Sequence, residues 1–271
     1  MFTITDKEFR QLTAYIKDNY GIHLKEEKRA LVTGRLYNVL LENNLENFTE
    51  YYKYVISDKT GQAAATLINK MTTNHTFFMR EAEHFFYFRD KVLPSLVAMT
   101  AHKDLRIWSA GCSSGEEPYT LAMIMDEFFG KQKAQWDTKI LATDISSRML
   151  EEAQKGIYKS EDISPLPAQW KINYFKKLDS EQSIFTDKIK NEIIYRKFNL
   201  MDEVFPFKNK FHVIFCRNVM IYFDEVTKRK LVNKFYNAME YGGYLFIGHS
   251  ESLNREETKF KYIMPAVYRK E

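Results

Sequence analysis

The chain has 271 residues, of which 45% are hydrophobic and 28% are charged, and its formal net charge is +4. This composition is typical of a globular protein with a buried core and excludes a disordered or fibrous chain. The charge is small and no run of roughly five or more like charges occurs, so the sequence does not indicate a nucleic-acid-binding protein. No apolar run is long enough to cross a bilayer, and we expect no membrane insertion.

The numbers and spacing of the cysteines and histidines help to predict the cellular compartment of the protein and whether it binds a metal. The two cysteines, Cys112 and Cys216, are too few for a disulfide framework and are predicted to be reduced. The first residues lack the basic and apolar regions of a signal peptide, so we expect a cytoplasmic protein. The six histidines do not have the spacing of metal ligands, which predicts that no metal is bound.

The amino-terminal part of the chain is predicted to be helical. The capping box Thr5-Asp6-Lys7-Glu8 predicts a helix start, and Gly21 predicts its end. Apolar periodicity predicts further helices over residues 28–41, 48–56 and 61–71. We place the domain boundary near residue 90, so that residues 1–90 and 91–271 form two domains.

After residue 104 the pattern changes to strands that alternate with helices. Strands are predicted over residues 105–110, 139–144, 211–216 and 244–248, and helices over 116–125, 147–154 and 225–241. This alternation predicts an α/β fold, a parallel sheet with helices on both faces. Gly242-Gly243 is predicted to separate the last helix from the last strand. Residues 158–198 break the rhythm with three short apolar runs, which predict a small antiparallel β insertion.

The glycine-rich turn at residues 111–115 is the strongest local signal for a ligand. Ligands of open parallel sheets bind beyond the carboxyl ends of the strands, and glycine lets the backbone approach them. Asp144 ends the next strand, where a carboxylate can accept hydrogen bonds from ribose hydroxyls. Glu116 and Glu117 lie where a pyrophosphate would bind, so they favour a cofactor that carries an amine and a sulfonium. Taken alone, the two glutamates also fit a helix start, and Asp144 fits a helix N-cap.

Five segments together resemble the motifs of one family, the chemotaxis receptor glutamate methyltransferases known as CheR. The segments are residues 73–81, 108–119, 142–145, 216–223 and 248–251. They occur in the family's order along nearly the whole chain, and the first departs from T-N-x-T-x-F-F-R-E only at Phe78-Met79. The resemblance implies a class I methyltransferase-like, doubly wound and mostly parallel sheet. It also implies an all-helical amino-terminal domain and an antiparallel insertion at about residues 158–198.

The resemblance implies S-adenosylmethionine as the cofactor, S-adenosylhomocysteine as the product, and no metal. Glu117, or alternatively Glu116, would hold the methionine end of the cofactor, and Asp144 would hold the ribose. The other residues implied to line the cofactor pocket are Asn74, Thr76, Arg80, Asn199, Leu200, Arg217 and Asn218. Arg80 and Tyr222 would lie nearest the transferred methyl group, so they are the candidate catalytic residues.

The implied activity is that of a monomeric protein-glutamate O-methyltransferase that acts on the helical bundle of methyl-accepting chemotaxis receptors. The candidate receptor contacts are Lys25, Lys28, Arg29 and Arg35, although the interleaved Glu26 and Glu27 also fit a neutral solvated face. Some family members dock a receptor tail peptide through a glycine-containing loop of the insertion. The corresponding loop, residues 177–183, has no glycine, so we expect no tail-peptide tethering.

Two other functions are compatible with the same fold. One is a methyltransferase for another substrate class, although Cys216-Arg217-Asn218-Val219 does not resemble the N-P-P-Y-like loop of base methyltransferases. The other is a non-catalytic module that senses S-adenosylmethionine or serves as a scaffold. A hydrolase is not indicated, because position 252 is serine and the G-x-S-x-G motif is incomplete.

Overall fold

The structure is a computed structural model that describes residues 2–72, 74–100 and 102–271. The chain divides into two compact units, Met1–Asn74 with Tyr222–Thr227, and His75–Ile221 with Lys228–Glu271. The division lies at Asn74, whereas the boundary near residue 90 falls within a run of helical turns from Ala82 to Met99. Among the described residues, no helix has the length and apolar character needed to span a membrane.

The described residues of the first unit form four α-helices: α1 (Asp6–Tyr20), α2 (Arg29–Glu42), α3 (Phe48–Ser57) and α4 (Gln62–Met71). Helix α1 begins at the predicted capping box, in which Glu8 N donates to Thr5 Oγ1 and Thr5 N donates to the Glu8 carboxylate. It ends at Gly21, which has the predicted left-handed conformation. The segment Tyr222–Thr227 joins this unit through a bridge between Ile22 and Phe223.

The second unit is built on a mixed sheet. Its strands, with those of the insertion, are β1 (Ile107–Ala110), β2 (Ile140–Asp144), β3 (Ile157–Lys159), β4 (Phe175–Lys177), β5 (Gln182–Phe185), β6 (Ile193–Lys197), β7 (Phe211–Cys216), β8 (Met239–Ile247), β9 (Lys261–Met264) and β10 (Val267–Arg269). The large sheet has the order β6-β2-β1-β7-β8-β10-β9, in which the first five strands are parallel and the last two are antiparallel. The predicted class I methyltransferase fold is therefore confirmed.

The helices that follow α4 along the chain are α5 (Ala82–Tyr87), α6 (Leu93–Met99), α7 (Glu116–Phe129), α8 (Ser147–Lys155), α9 (Ser160–Ile163), α10 (Ala168–Tyr174), α11 (Asp187–Lys190) and α12 (Glu225–Ala238). Helix α7 is buried along most of its length, because it follows β1 and packs against the sheet. The insertion is a separate antiparallel sheet with the order β3-β5-β4, as predicted.

Two sequence predictions about strands are wrong. The apolar run 193–195 belongs to the large sheet as β6, which pairs in parallel with β2, and not to the insertion. Its residues alternate between buried and exposed as in any edge strand, so the pattern did not reveal the partner. Gly242 and Gly243 do not break the chain between helix and strand but lie inside β8. At Gly243 a Cβ would lie 2.8 Å from the His212 carbonyl oxygen, so glycine allows the close approach of β7.

Candidate active site

The carboxyl ends of β1, β2, β7 and β8 meet at one rim of the sheet, where the predicted site residues of the second unit cluster. Two glycines shape the turn after β1, with φ of +90° at Gly111 and +99° at Gly115. A Cβ at Gly111 would lie 2.5 Å from Val219 Cγ2, and one at Gly115 would lie 2.9 Å from Ala153 Cβ. The glycines are therefore required by the backbone and by neighbouring protein groups, rather than by a ligand's approach alone.

Asp144 ends β2 and is buried at this rim. Its Oδ2 accepts a hydrogen bond from Ser113 N at 2.8 Å, and its Oδ1 accepts one from Ser146 N at 2.9 Å. Burial raises the pKa of its carboxyl group, although these backbone hydrogen bonds oppose the shift. Ser146, and not Asp144, is the N-cap of α8. Since each carboxylate oxygen has a further lone pair, Asp144 can also accept ribose hydroxyls.

The two glutamates at the start of α7 have different surroundings. Glu117 Oε1 accepts a hydrogen bond from Ser109 Oγ at 2.7 Å, and its Oε2 lies 3.0 Å from Nη1 of Arg217. The Glu116 carboxylate instead accepts Ser114 Oγ at 2.8 Å, and burial raises the pKa of Glu116. Glu117 is therefore the acid that faces the end of β7.

Arg217 follows β7 and is central to the rim, with a side chain only 3% exposed. Its Nη2 donates to Oε2 of Glu81 at 3.1 Å and to the carbonyl oxygen of Arg80. Glu81 also accepts hydrogen bonds from Asn218 Nδ2 at 3.1 Å and from His249 N at 3.2 Å. Burial alone would raise the pKa of Glu81, but the Asn218 hydrogen bond and the Arg217 charge lower it. Glu81 was not among the predicted site residues, although it ends the motif at residues 73–81.

Arg80 and Thr76 are half-buried in the segment before α5. The Arg80 guanidinium donates from Nη1 to the His75 carbonyl oxygen at 2.7 Å and lies 5.9 Å from the centre of the Phe77 ring. At the other end of the rim, Phe198 N donates to the Asp144 carbonyl oxygen at 3.1 Å. This bond brings the following pair, Asn199 and the buried Leu200, beside Asp144. Asn199 Oδ1 accepts Met201 N at 3.0 Å, as in a turn.

The remaining predicted residues belong to the first unit. Asn74 and Tyr222 are half-buried, and the Tyr222 carbonyl oxygen accepts His23 N at 2.8 Å. Thr73, the first residue of the resembling segment, lies outside the described residues.

The basic candidates for receptor contact divide into two pairs. Arg29 forms ion pairs with Asp6 at 2.7 Å and Glu26 at 2.8 Å. Arg35 donates to the carbonyl oxygens of Lys70 and Met71 at the end of α4. These two arginines therefore stabilise the helical unit itself, whereas Lys25 and Lys28 are exposed.

One cluster within the described ranges has the residue types of a metal site. Possible ligand atoms of Glu81, His84 and His249 all lie within 4.8 Å of one another. The spacing of histidines along the sequence did not indicate this cluster, because His249 is distant along the chain. Glu81 is already hydrogen-bonded to Arg217, Asn218 and His249 N, so its carboxylate oxygens are occupied by these donors. Hydrogen bonds therefore engage Glu81, whereas neither ring nitrogen of the buried His84 has a hydrogen-bond partner among the described residues. The absence of a metal stays a prediction.

The charges at the rim fit the cofactor that the resemblance implies. Carboxylates outnumber the guanidinium of Arg217, since Glu81, Glu117 and the buried Asp144 all lie there. Such an environment disfavours a polyphosphate and favours a ligand that carries a sulfonium and an ammonium group. The residues present therefore fit S-adenosylmethionine.

Comparisons with known proteins match both units. Residues 74–268 match the family model described as the CheR methyltransferase SAM-binding domain, and residues 7–72 match that of the CheR methyltransferase all-alpha domain. The chain is 44% identical over 270 residues to a chemotaxis protein methyltransferase of Borreliella burgdorferi, covering 98% of this chain and 95% of that protein. It is 33% identical to the chemotaxis protein methyltransferase of Escherichia coli, covering 98% and 91%.

Proposed function

Because the chain belongs to the CheR family of chemotaxis methyltransferases, we propose that it methylates glutamate side chains of methyl-accepting chemotaxis receptors, with S-adenosylmethionine as the donor. The products are glutamate methyl esters and S-adenosylhomocysteine. The observation that carries the proposal is the acidic rim. There Asp144 ends β2, Glu117 lies in the first turn of α7, and the turn that bears Arg80 is hydrogen-bonded to Arg217.

The chemistry requires little acid–base catalysis from the protein. When bound, S-adenosylmethionine supplies a methyl carbon on a sulfonium, which a carboxylate oxygen can attack. A free glutamate has a pKa of about 4.3, so its carboxylate is already ionised at neutral pH and needs no general base. The side chains of this protein therefore need only to hold the donor, align the carboxylate and exclude water.

Each role is assigned to a residue that suits it. Asp144 holds the ribose, Glu117 holds the methionine ammonium, and Asn199 with Leu200 adjoins the adenine. Arg80 guides the incoming carboxylate, because a guanidinium presents several donors to a carboxylate and only Nη1 is used in its bond to His75. Its hold on the carboxylate must remain weak, since a tight ion pair would reduce the nucleophilicity of the oxygen. Tyr222 is proposed, on the resemblance, as the second residue near the methyl group.

The experiment is to incubate the full chain with radiolabelled S-adenosylmethionine and receptor-containing membranes. We expect label on the receptor that is released by base, as a carboxyl ester requires. Label that resists base would indicate another acceptor, and no label at all would support a non-catalytic module.

Arg80→Ala tests the proposed role of the guanidinium, with Arg89→Ala as the matched control. Arg89 is exposed and pairs with its neighbour Asp90. We expect Arg80→Ala to lower kcat about a hundredfold while S-adenosylhomocysteine affinity changes by less than about threefold. Full activity of Arg80→Ala would show that this residue does not guide the carboxylate.

A further inference from the structure

The segment that carries Arg80 is a strained turn. Met79 has φ of +60° and Glu81 has φ of +55°, so both neighbours of Arg80 are in the left-handed region. This conformation is unfavourable for residues with a Cβ, and it persists only where surrounding contacts hold it. Such contacts must therefore exist on at least one side of Arg80.

The contacts come from the ends of two strands. Arg217 Nη2, after β7, donates to both the Arg80 carbonyl oxygen and Glu81 Oε2. Asn218 Nδ2 donates to Glu81 Oε1, and His249 N, after β8, donates to Glu81 Oε2. The Glu81 carboxylate thus joins the strained turn to both strand ends through three hydrogen bonds.

The partners of Glu81 are themselves fixed. Arg217 pairs with Glu117 at 3.0 Å through its other terminal nitrogen, and its guanidinium lies 5.1 Å from the centre of the Phe85 ring. Asn218 N donates to the buried carboxylate of Glu251, which also accepts Gly248 N. Because Arg217 and Asn218 are held by these further contacts, the hydrogen bonds of Glu81 to them determine the position of the turn.

We propose that Glu81 is a positioning residue, which holds the strained turn of residues 79–81 against the sheet rim and so aims the Arg80 side chain at the substrate carboxylate. The claim that Arg80 points at a substrate carboxylate rests on the proposed function. The claim that Glu81 holds the turn against the sheet rim does not. Glu81 acts through Arg80 and needs no contact with substrate or cofactor.

The hold on the turn is tested in the cofactor-free protein by hydrogen exchange with mass spectrometry. Glu81→Gln keeps the size of the side chain but removes its charge and replaces one accepting oxygen with a donor. Glu83→Gln is the matched control, because Glu83 is exposed in the first turn of α5, which begins directly after Glu81. We expect amides of residues 79–82 to exchange at least about tenfold faster in Glu81→Gln and at the wild-type rate in Glu83→Gln. Wild-type exchange in Glu81→Gln would overturn the proposal.

The action through Arg80 is tested by a double-mutant cycle on receptor methylation. We expect Glu81→Gln to lower kcat about tenfold or more in the wild-type background and to cause no further loss in Arg80→Ala. Equal losses in both backgrounds would show that Glu81 does not act through Arg80. If Glu81→Gln does not fold, Glu81→Asp, which keeps the charge but shortens the reach, is measured in both assays with the same expectations. If the wild type methylates no receptor, the proposed function fails, and the exchange result still decides whether Glu81 holds the turn.

Discussion

Oε2 of Glu117 lies 3.0 Å from Nη1 of Arg217, a residue 100 positions later in the chain. Successive residues of a helix point about 100° apart, so Glu116 cannot share this partner and bonds to Ser114 instead. The sequence left open which of the two acids would hold a cofactor ammonium. The geometry favours Glu117, because its carboxylate lies at the ends of β1 and β7 beside the Arg80 turn.

The first prediction separates the two acids by matched substitutions. Glu117→Gln is expected to weaken S-adenosylhomocysteine binding about tenfold, since a hydrogen bond to a charged group contributes roughly 1.5–3 kcal/mol. Glu116→Gln is expected to change the affinity by less than about twofold. Isothermal titration calorimetry of both variants measures this, and the reverse order of affinities would reassign the ammonium to Glu116.

The second prediction concerns the stability contributed by the buried Glu116. Burial raises the pKa of Glu116 in the folded state, so ionisation of this group favours unfolding. Its contribution to the unfolding free energy therefore falls as pH rises from the unfolded-state pKa through the folded-state pKa. Glu116→Gln removes that loss. The difference in unfolding free energy, variant minus wild type, should therefore become more favourable between about pH 4.5 and pH 8. Urea unfolding at both pH values measures it, and a difference that is constant with pH would contradict the burial argument.

Much of the fold followed from local signals, because caps, glycine turns and apolar periodicity act within a few residues. The capping box at Thr5 and the turn from Gly111 to Gly115 are of this kind. The place of β6 was not predictable in the same way, since an edge strand alternates equally in parallel and antiparallel pairs. Strands β9 and β10 were also not predicted.

The site divides similarly into local and non-local parts. Asp144, Glu116 and Glu117 were predicted as ligand-binding candidates because the ends of parallel strands converge on one rim, and their contact with a cofactor stays a prediction. Glu81 was missed because its partners Arg217 and His249 lie 136 and 168 positions away, and no local pattern reports such contacts. The ion pairs of Arg29 and the carbonyl contacts of Arg35 could not be predicted from the sequence for the same reason. The four basic residues therefore offer fewer free charges for receptor contact than the sequence indicated.

The third prediction is that kcat for receptor methylation is flat between about pH 6 and pH 8.5. The substrate carboxylate is ionised throughout this range, and no general base has to lose a proton. The pKa of the buried His84 is lowered to about 3, chiefly by burial and also by the Arg217 charge, so His84 stays neutral and adds no step. Measurements use saturating donor and receptor. A sigmoidal rise in kcat near neutral pH would reveal a proton transfer that this mechanism lacks.

The fourth prediction tests receptor contact by the helical unit. Lys25 and Lys28 are the exposed members of the basic group, so reversing both to Glu should lower kcat/KM about tenfold with little change in kcat. The salt dependence of kcat/KM should weaken as well, because the interaction that salt screens has been removed. Lys53→Glu, on an exposed position of α3, is the matched control. Unchanged kcat/KM in the double variant would place the receptor contact elsewhere.

The fifth prediction is that a synthetic peptide of a receptor's C-terminal tail does not bind tightly to the insertion. The turn between β4 and β5 is closed on itself, since Asp179 Oδ1 accepts Glu181 N at 2.7 Å and Gln182 N at 2.8 Å, and Leu178 N donates to the Gln182 carbonyl oxygen. The turn is therefore held in one conformation by its own hydrogen bonds, so it would have to break them in order to open for a peptide. Calorimetry should give a Kd weaker than about 100 µM, which corresponds to a binding free energy of only about −5.5 kcal/mol. A family member with a glycine in this loop is the positive control, and micromolar binding by the present chain would show that the closed turn opens to admit the peptide.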